Sequence, residues 1–134
     1  MHLIKKPILD GKFLELDHLR FEVKNQILHF TFIGPLEVKA KHITSFQKSR
    51  LQFLDGAVLP TIVNIEGKFI FTREARTALR KTQLEGAAFA AIVIKSPLQK
   101  LMVNIYLKLA QIEIEIKLFR SQKEGLKWLK SQMS

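Results

Sequence analysis

The chain has 134 residues, of which 47% are hydrophobic and 25% are charged. These values predict one globular domain over residues 1–134 and exclude a disordered, collagen-like or coiled-coil chain. The sequence has no cysteine, which excludes disulfides and thiolate metal sites and fits a cytoplasmic protein. With 22 Lys and Arg against 12 Asp and Glu, the formal net charge is +10, which points to an anionic partner.

The positive charge is concentrated in the second half of the chain. Residues 1–67 contain 9 basic and 7 acidic residues, so residues 68–134 contain 13 and 5. Pro7 and Asp10 interrupt any apolar signal region at the start, and the uncharged runs are shorter than the roughly 18 residues of a membrane-spanning helix. We therefore expect a protein that stays in the cytoplasm and has no spanning helix.

The first third of the chain has the pattern of a β-meander followed by a helix. Short alternating segments at 12–16, 20–24 and 27–33 predict three antiparallel strands. After Gly34-Pro35 the apolar spacing becomes helical and continues to Asp55-Gly56, which ends the predicted helix. The basic residues assigned to the outer face of this helix are Lys39, Lys41, Lys48 and Arg50.

The remaining chain alternates between strands and helices. Strands are predicted at 60–65, 87–94 and 113–119, and helices over 73–84, from 97 to about 110, and after 121. Thr72, Ser96 and Ser121 have the side chains of N-cap residues. The sequence predicts an α/β fold in which N-terminal antiparallel strands precede βαβα units, giving a mixed sheet with about four helices.

Side chains with catalytic or metal-binding chemistry are scattered. No histidine has a second histidine or a carboxylate at a metal-binding spacing, and the six glycines form no phosphate-binding loop. The histidines are His2, His18, His29 and His42. Glu113 and Glu115 share the polar side of a predicted strand, which is typical of a solvated face. The sequence therefore predicts no catalytic residue, no metal site, no cofactor and no enzymatic activity.

An arginine stripe, formed by Arg73, Arg76 and Arg80, is the first candidate binding surface. These residues recur at i, i+3 and i+7 of the predicted helix and so share one face. The opposite, core-facing residues are Ala75, Ala78, Leu79 and Thr82. Arginines arranged in this way can bind carboxylates or phosphates with paired hydrogen bonds, and the alternative is an ordinary solvated helix face.

The helix from Pro97 has more apolar surface than one buried face requires. Its predicted buried stripe consists of Leu98, Leu101, Met102, Ile105 and Leu109. A second stripe beside it includes Val103, Tyr106 and Leu107, and it indicates either further burial or a contact with a second copy or a lipid. Nucleic acid is a poor fit, because the basic half has one Tyr and one Trp and hence no aromatic platform.

Four segments carry a family resemblance: DGKFLEL (10–16), TREAR (72–76), IVIKSPLQKLMVNIYLKL (92–109) and KLFRSQKEGLKWL (117–129). On these the chain resembles the STAS domain of bacterial anti-sigma-factor antagonists and its SpoIIAA-like relatives. It is more closely similar to an uncharacterised group of short bacterial STAS/SEC14-like proteins, best known from Bacteroidetes, which usually has an alanine at Gly125. The resemblance implies a SpoIIAA-like fold and a non-enzymatic role in protein–protein interaction or regulation.

The STAS phosphoswitch uses a serine in an Asp-Ser-Ser-Gly-like turn at a helix start. Thr72, Arg73, Glu74 and Ala75 occupy these positions here, so both serines are absent and phosphorylation control is not implied. Glu74 would place negative charge at the helix N-terminus, as a phosphoserine does.

Two functions follow as expectations. The first is an interaction module that meets an acidic protein partner through Thr72, Glu74 and the arginine stripe, with homodimer contact through the second stripe. The alternative is a peripheral lipid or small-anion binder of the SEC14-like kind, in which Lys95, Lys100 and Lys108 meet anionic lipid headgroups.

Overall fold

The fold is built on a mixed β-sheet with helices on both faces, in a computed structural model that describes residues 10–82 and 84–133. In chain order the elements are β1 (Phe13–Glu15), β2 (Leu19–Lys24), β3 (Ile27–Ile33), β4 (Leu36–Val38), α1 (Ala40–Leu54), β5 (Leu59–Glu66), β6 (Phe69–Phe71), α2 (Arg73–Leu79), β7 (Ala87–Val93), α3 (Pro97–Leu109), β8 (Ile116–Phe119) and α4 (Gln122–Met133). The main sheet has the order β1-β2-β3-β5-β7-β8. Strands β1 to β3 are antiparallel and β3, β5, β7 and β8 are parallel, which confirms the predicted α/β architecture.

The N-terminal meander forms because its apolar residues alternate. Phe21 and Phe30 lie opposite each other on β2 and β3, and their rings stack with centroids 4.9 Å apart. The intervening turn places Asn25 and Gln26 at positive φ, 53° and 59°, which matches the right-handed twist of the two strands. The meander therefore presents one apolar face to the helices.

The helices divide between the two faces of the main sheet. Helices α1 and α3 cover the face that includes Phe21 and Phe30, and α2 packs beside them. Helix α4 covers the opposite face, where Leu129 packs against Ile62 and Val93. The predicted cap of α4 is present, since the Ser121 hydroxyl accepts a hydrogen bond from Glu124 N at 3.2 Å.

Two short strands that the sequence did not predict form a second sheet. Strands β4 and β6 pair in parallel as continuations of the neighbouring strands β3 and β5. At the points where the backbone leaves the main sheet, after β3 and after β5, Gly34 N donates a hydrogen bond to Glu66 O at 2.6 Å, and Gly67 has a φ of +86°. A Cβ atom on Gly34 would lie 2.7 Å from Lys68 O, so this crossing requires glycine. Three-residue strands between such breaks leave no recognisable period in the sequence.

Helix α2 is shorter than the predicted 73–84. The Thr72 hydroxyl accepts a hydrogen bond from Ala75 N at 3.1 Å, which confirms the predicted N-cap. The helix ends at Leu79 because the following amides bond three residues back, with Arg80 N donating to Thr77 O at 3.2 Å. Strand β8 is likewise shorter than the predicted 113–119.

Candidate ligand-binding site

A cavity of about 330 Å³ lies between the main sheet, the second sheet and helices α1, α2 and α3. We call it the central cavity. Its floor is a row of neighbouring residues on three parallel strands, Phe30 on β3, Val63 on β5 and Ile92 on β7. Phe46 of α1 and Val103 of α3 line it from the helices. A volume of this order lies at the lower end of the range of about 300–1,000 Å³ found for small-molecule sites.

Arg50 is a buried cation in the lining of the central cavity. Its side chain is 5% exposed, and its Nε donates a hydrogen bond to Glu85 O at 3.2 Å. Burial lowers the pKa of Arg50, while Tyr106 and Glu85 act in the opposite direction. An arginine keeps its proton under these conditions, so the guanidinium brings a positive charge to an apolar cavity.

The prediction that Arg50 lies on the outer face of its helix is wrong. Arg50 follows Ile43 by seven residues and Phe46 by four, so it occupies an inward position of the apolar stripe of α1. Its neighbours in the chain toward the helix end, Phe53 and Leu54, are also buried. The spacing from Ile43 and Phe46 indicates an inward position for Arg50, whereas its charge favours the surface.

Tyr106 of α3 contributes a second polar group to the central cavity. Burial raises the pKa of its hydroxyl, and the charge of Arg50 offsets part of that rise. The hydroxyl is therefore protonated at neutral pH and can donate a hydrogen bond. Tyr106 and Arg50 both line the cavity, and each acts electrostatically on the pKa of the other.

Other polar residues of the lining are engaged with the protein itself. Gln99 Nε2 donates to Ile65 O at 3.2 Å, and Thr82 Oγ1 donates to Ala78 O at 3.2 Å. The Ser96 hydroxyl caps α3 by accepting from Gln99 N at 3.1 Å, as predicted. These side chains close the cavity wall, and Arg50, which is itself hydrogen-bonded to Glu85 O, adds a positive charge to it, while Tyr106 adds a hydroxyl group.

The arginine stripe lies on the surface. Arg73, Arg76 and Arg80 are exposed, and within the described chain no hydrogen bond or ion pair involves their guanidinium groups. The core-facing side is placed as expected, with Ala75 and Leu79 fully buried. The Thr72 hydroxyl is occupied as the N-cap and Glu74 is exposed in the first turn, so the five candidate residues extend from the N-cap of α2 to its C-cap at Arg80.

The second apolar stripe of α3 faces inward. Val103 is 6% exposed in the core, Leu107 packs against the same cluster, and Tyr106 lines the central cavity. Val103 is thus buried, whereas Tyr106 and Leu107 are half-buried, and contact of this stripe with a second copy or a lipid stays a prediction. Leu101, which was predicted to be buried, is instead 54% exposed. The side of α3 that faces the sheet is therefore the one centred on Val103.

The histidines and carboxylates form no metal site in the part of the chain that the structure describes. His18 and His42 approach edge to face, with ring centroids 6.4 Å apart. His18 Nδ1 lies 2.9 Å from Ile33 O, and His42 Nδ1 accepts a hydrogen bond from Lys39 N at 2.9 Å. Each ring is therefore hydrogen-bonded to a backbone atom. His2 lies outside the described residues. Over the described ranges, every helix is too short or too polar to cross a bilayer.

The architecture is that of a SpoIIAA-like protein. The solved structure of an uncharacterized protein from the DUF3478 family with a SpoIIAA-like fold, from Shewanella loihica PV-4, matches with a TM-score of 0.53 and 15% sequence identity. The match covers 83% of this chain and 91% of that chain, and at this identity it shows the fold. The predicted resemblance is thereby confirmed at the level of fold.

The family assignment is more specific. The model of the family described as Domain of unknown function (DUF7793) matches residues 21–133, and the chain belongs to that family. No curated protein matches the sequence.

Proposed function

We propose that this chain is a non-enzymatic, SpoIIAA-like module of the cytoplasm that binds a small apolar ligand in the central cavity. The observation that carries the proposal is the cavity itself, which is lined by aromatic and aliphatic side chains from both sheets and three helices. An apolar ligand in such a site gains free energy by leaving water and by contacting a densely packed wall. The proposal shares an apolar ligand with the lipid-binding alternative, but it assigns that ligand to the central cavity and not to a surface flanked by Lys95, Lys100 and Lys108.

The proposal is tested with N-phenylnaphthylamine, a neutral apolar dye whose fluorescence increases in apolar surroundings. We expect saturable binding to the wild-type protein, weakened by about tenfold or more in Val103→Phe, because the added ring occupies the cavity. The matched control is Leu101→Phe, which adds a ring to the exposed side of the same helix. Dye binding that is absent from the wild type, or equal in Val103→Phe and wild type, would contradict the proposal.

A second candidate function is contact with an acidic protein through the arginine stripe. It is supported by the exposed guanidinium groups of Arg73, Arg76 and Arg80, for which the described residues supply no ion pair. Such groups bind carboxylates in pairs of hydrogen bonds and are available to a partner. Homodimer contact and contact with anionic lipid stay predictions.

The second candidate is tested by charge reversal. Glutamate at all three positions of the arginine stripe should abolish capture of an acidic partner from a native lysate. The matched control is Lys100→Glu, Lys123→Glu and Lys127→Glu, which changes the net charge equally at exposed positions elsewhere. Equal loss in both triple variants would assign capture to overall charge, and unchanged capture by the stripe variant would contradict the candidate.

A further inference from the structure

We infer that the ligand of the central cavity is a monocarboxylic acid with an apolar body, and that Arg50 and Tyr106 bind its carboxylate. The inference rests on the proposed function, since it assigns the chemistry of the ligand that this cavity takes. Its basis is the position of one buried cation and one protonated phenol in a lining that is otherwise largely apolar.

The first step concerns the charge of Arg50. Transfer of a guanidinium from water into an apolar site is costly, and the dominant effect of burial on the pKa of Arg50 reflects that cost. The Glu85 carbonyl accepts one hydrogen bond from Nε, and the charge of Glu85 offsets part of the effect of burial on the pKa of Arg50. A ligand carboxylate inside the cavity would meet the guanidinium where water does not screen the pair.

The second step concerns Tyr106. Because its hydroxyl keeps its proton at neutral pH, it can donate to a carboxylate oxygen beside Arg50. An arginine fork and a phenol together match the planar, singly charged carboxylate. A phosphate carries up to two charges and three oxygens, and Lys68, the second cation among the described lining residues, is exposed. The donor set therefore favours a carboxylate.

The third step concerns the rest of the ligand. Phe30, Val63, Ile92 and Val103 surround the space beyond the two donors with apolar surface. The apolar chain or ring system of a ligand of modest size would be transferred from water into this space, while its carboxylate would stay at Arg50. A ligand with a second polar end would lose hydrogen bonds to water without replacement.

The experiment compares three ligands of equal chain length, decanoate, decanol and decylamine, by displacement of N-phenylnaphthylamine. We expect decanoate to bind the wild type about tenfold or more tightly than decanol, and decylamine to bind least tightly. The preference for decanoate should fall to near unity in Arg50→Met, persist in part in Arg50→Lys, and decrease in Tyr106→Phe. Lys127→Met removes one charge from the surface of α4 and should leave the preference unchanged.

The outcomes separate this inference from the proposed function. Equal affinity for decanoate and decanol in the wild type would overturn it, and that result does not depend on the folding of any variant. A preference that persists in folded Arg50→Met would also overturn it, as would tighter binding of decyl phosphate than of decanoate. Dye binding without a preference for the acid would leave the proposed function standing, whereas absence of dye binding would contradict both.

Discussion

Replacing Val103 by leucine tests whether the central cavity offers space for additional apolar atoms. Val103 is 6% exposed and lines the cavity from α3. Leucine adds one methylene, whose burial contributes about 0.8 kcal/mol. Leucine is also the better helix former by a few tenths of a kcal/mol, so we expect the free energy of unfolding to rise by about 1 kcal/mol. For a domain of this size the corresponding rise in Tm is about 3–5 °C.

The matched control for this prediction is Val93→Leu. Val93 is 1% exposed and packs beneath α4 on the opposite face of the sheet, away from the cavity. An added methylene there overfills a packed core, which typically costs about 1–3 kcal/mol. Urea unfolding followed by circular dichroism measures both variants. If Val103→Leu were destabilised as much as Val93→Leu, the reasoning from cavity volume would be refuted.

Three further predictions concern the stability of the fold. Gly125→Ala in α4 should raise the free energy of unfolding by about 0.5–1 kcal/mol, since alanine favours the helix, and the new Cβ would lie 3.1 Å from the flexible tip of Ile62 and at ordinary contact distances of 3.4 Å and 3.6 Å from Ala91 and Phe119; a lowered urea midpoint would show that the Ile62 tip cannot yield. Gly67→Ala should cost about 2–3 kcal/mol, because φ is +86° and the new Cβ would lie 2.9 Å from the opposing glycine backbone. Gly56→Ala, at φ +88° in open space, is its control, and an equal cost in both variants would mean that the close backbone approach adds nothing. Burial lowers the pKa of His29 and of His42 in the folded protein below the usual 6.5, so stability is complete above that pH and falls as the pH drops through it. Urea midpoints at about pH 7.5 and about pH 5.5 should therefore differ less in the double glutamine variant than in the wild type, and an equal difference would contradict the assignment.

The order of the main elements could be predicted because it depends on local patterns. The alternation of Phe21 and Val23 in β2 and the cap at Ser96 act over a few residues, and both have the predicted consequence. The end of α2 was predicted too far along the chain. Thr82, inside the predicted helix but beyond the end of α2, accepts at its carbonyl oxygen from Gln111 N at 2.8 Å, and no local pattern records this contact with a distant segment.

The candidate site was harder to predict for the same reason. The cavity depends on the crossing of Gly34 and Gly67, which comes from two separate breaks in the chain. Arg50 was assigned to the surface because charged residues are rarely fully buried. The spacing of Arg50 from Phe46 pointed inward, and only the packed structure shows that spacing prevails over charge at this position.

The lining of the central cavity runs from Phe30 to Tyr106, so it exists only when most of the chain has folded. A ligand that binds there selects the native state over every unfolded form, and its concentration adds to stability by mass action. In a cell that degrades unfolded chains, the lifetime of this protein would then follow the supply of its ligand. The cavity would thus couple the abundance of the module to the compound that it binds.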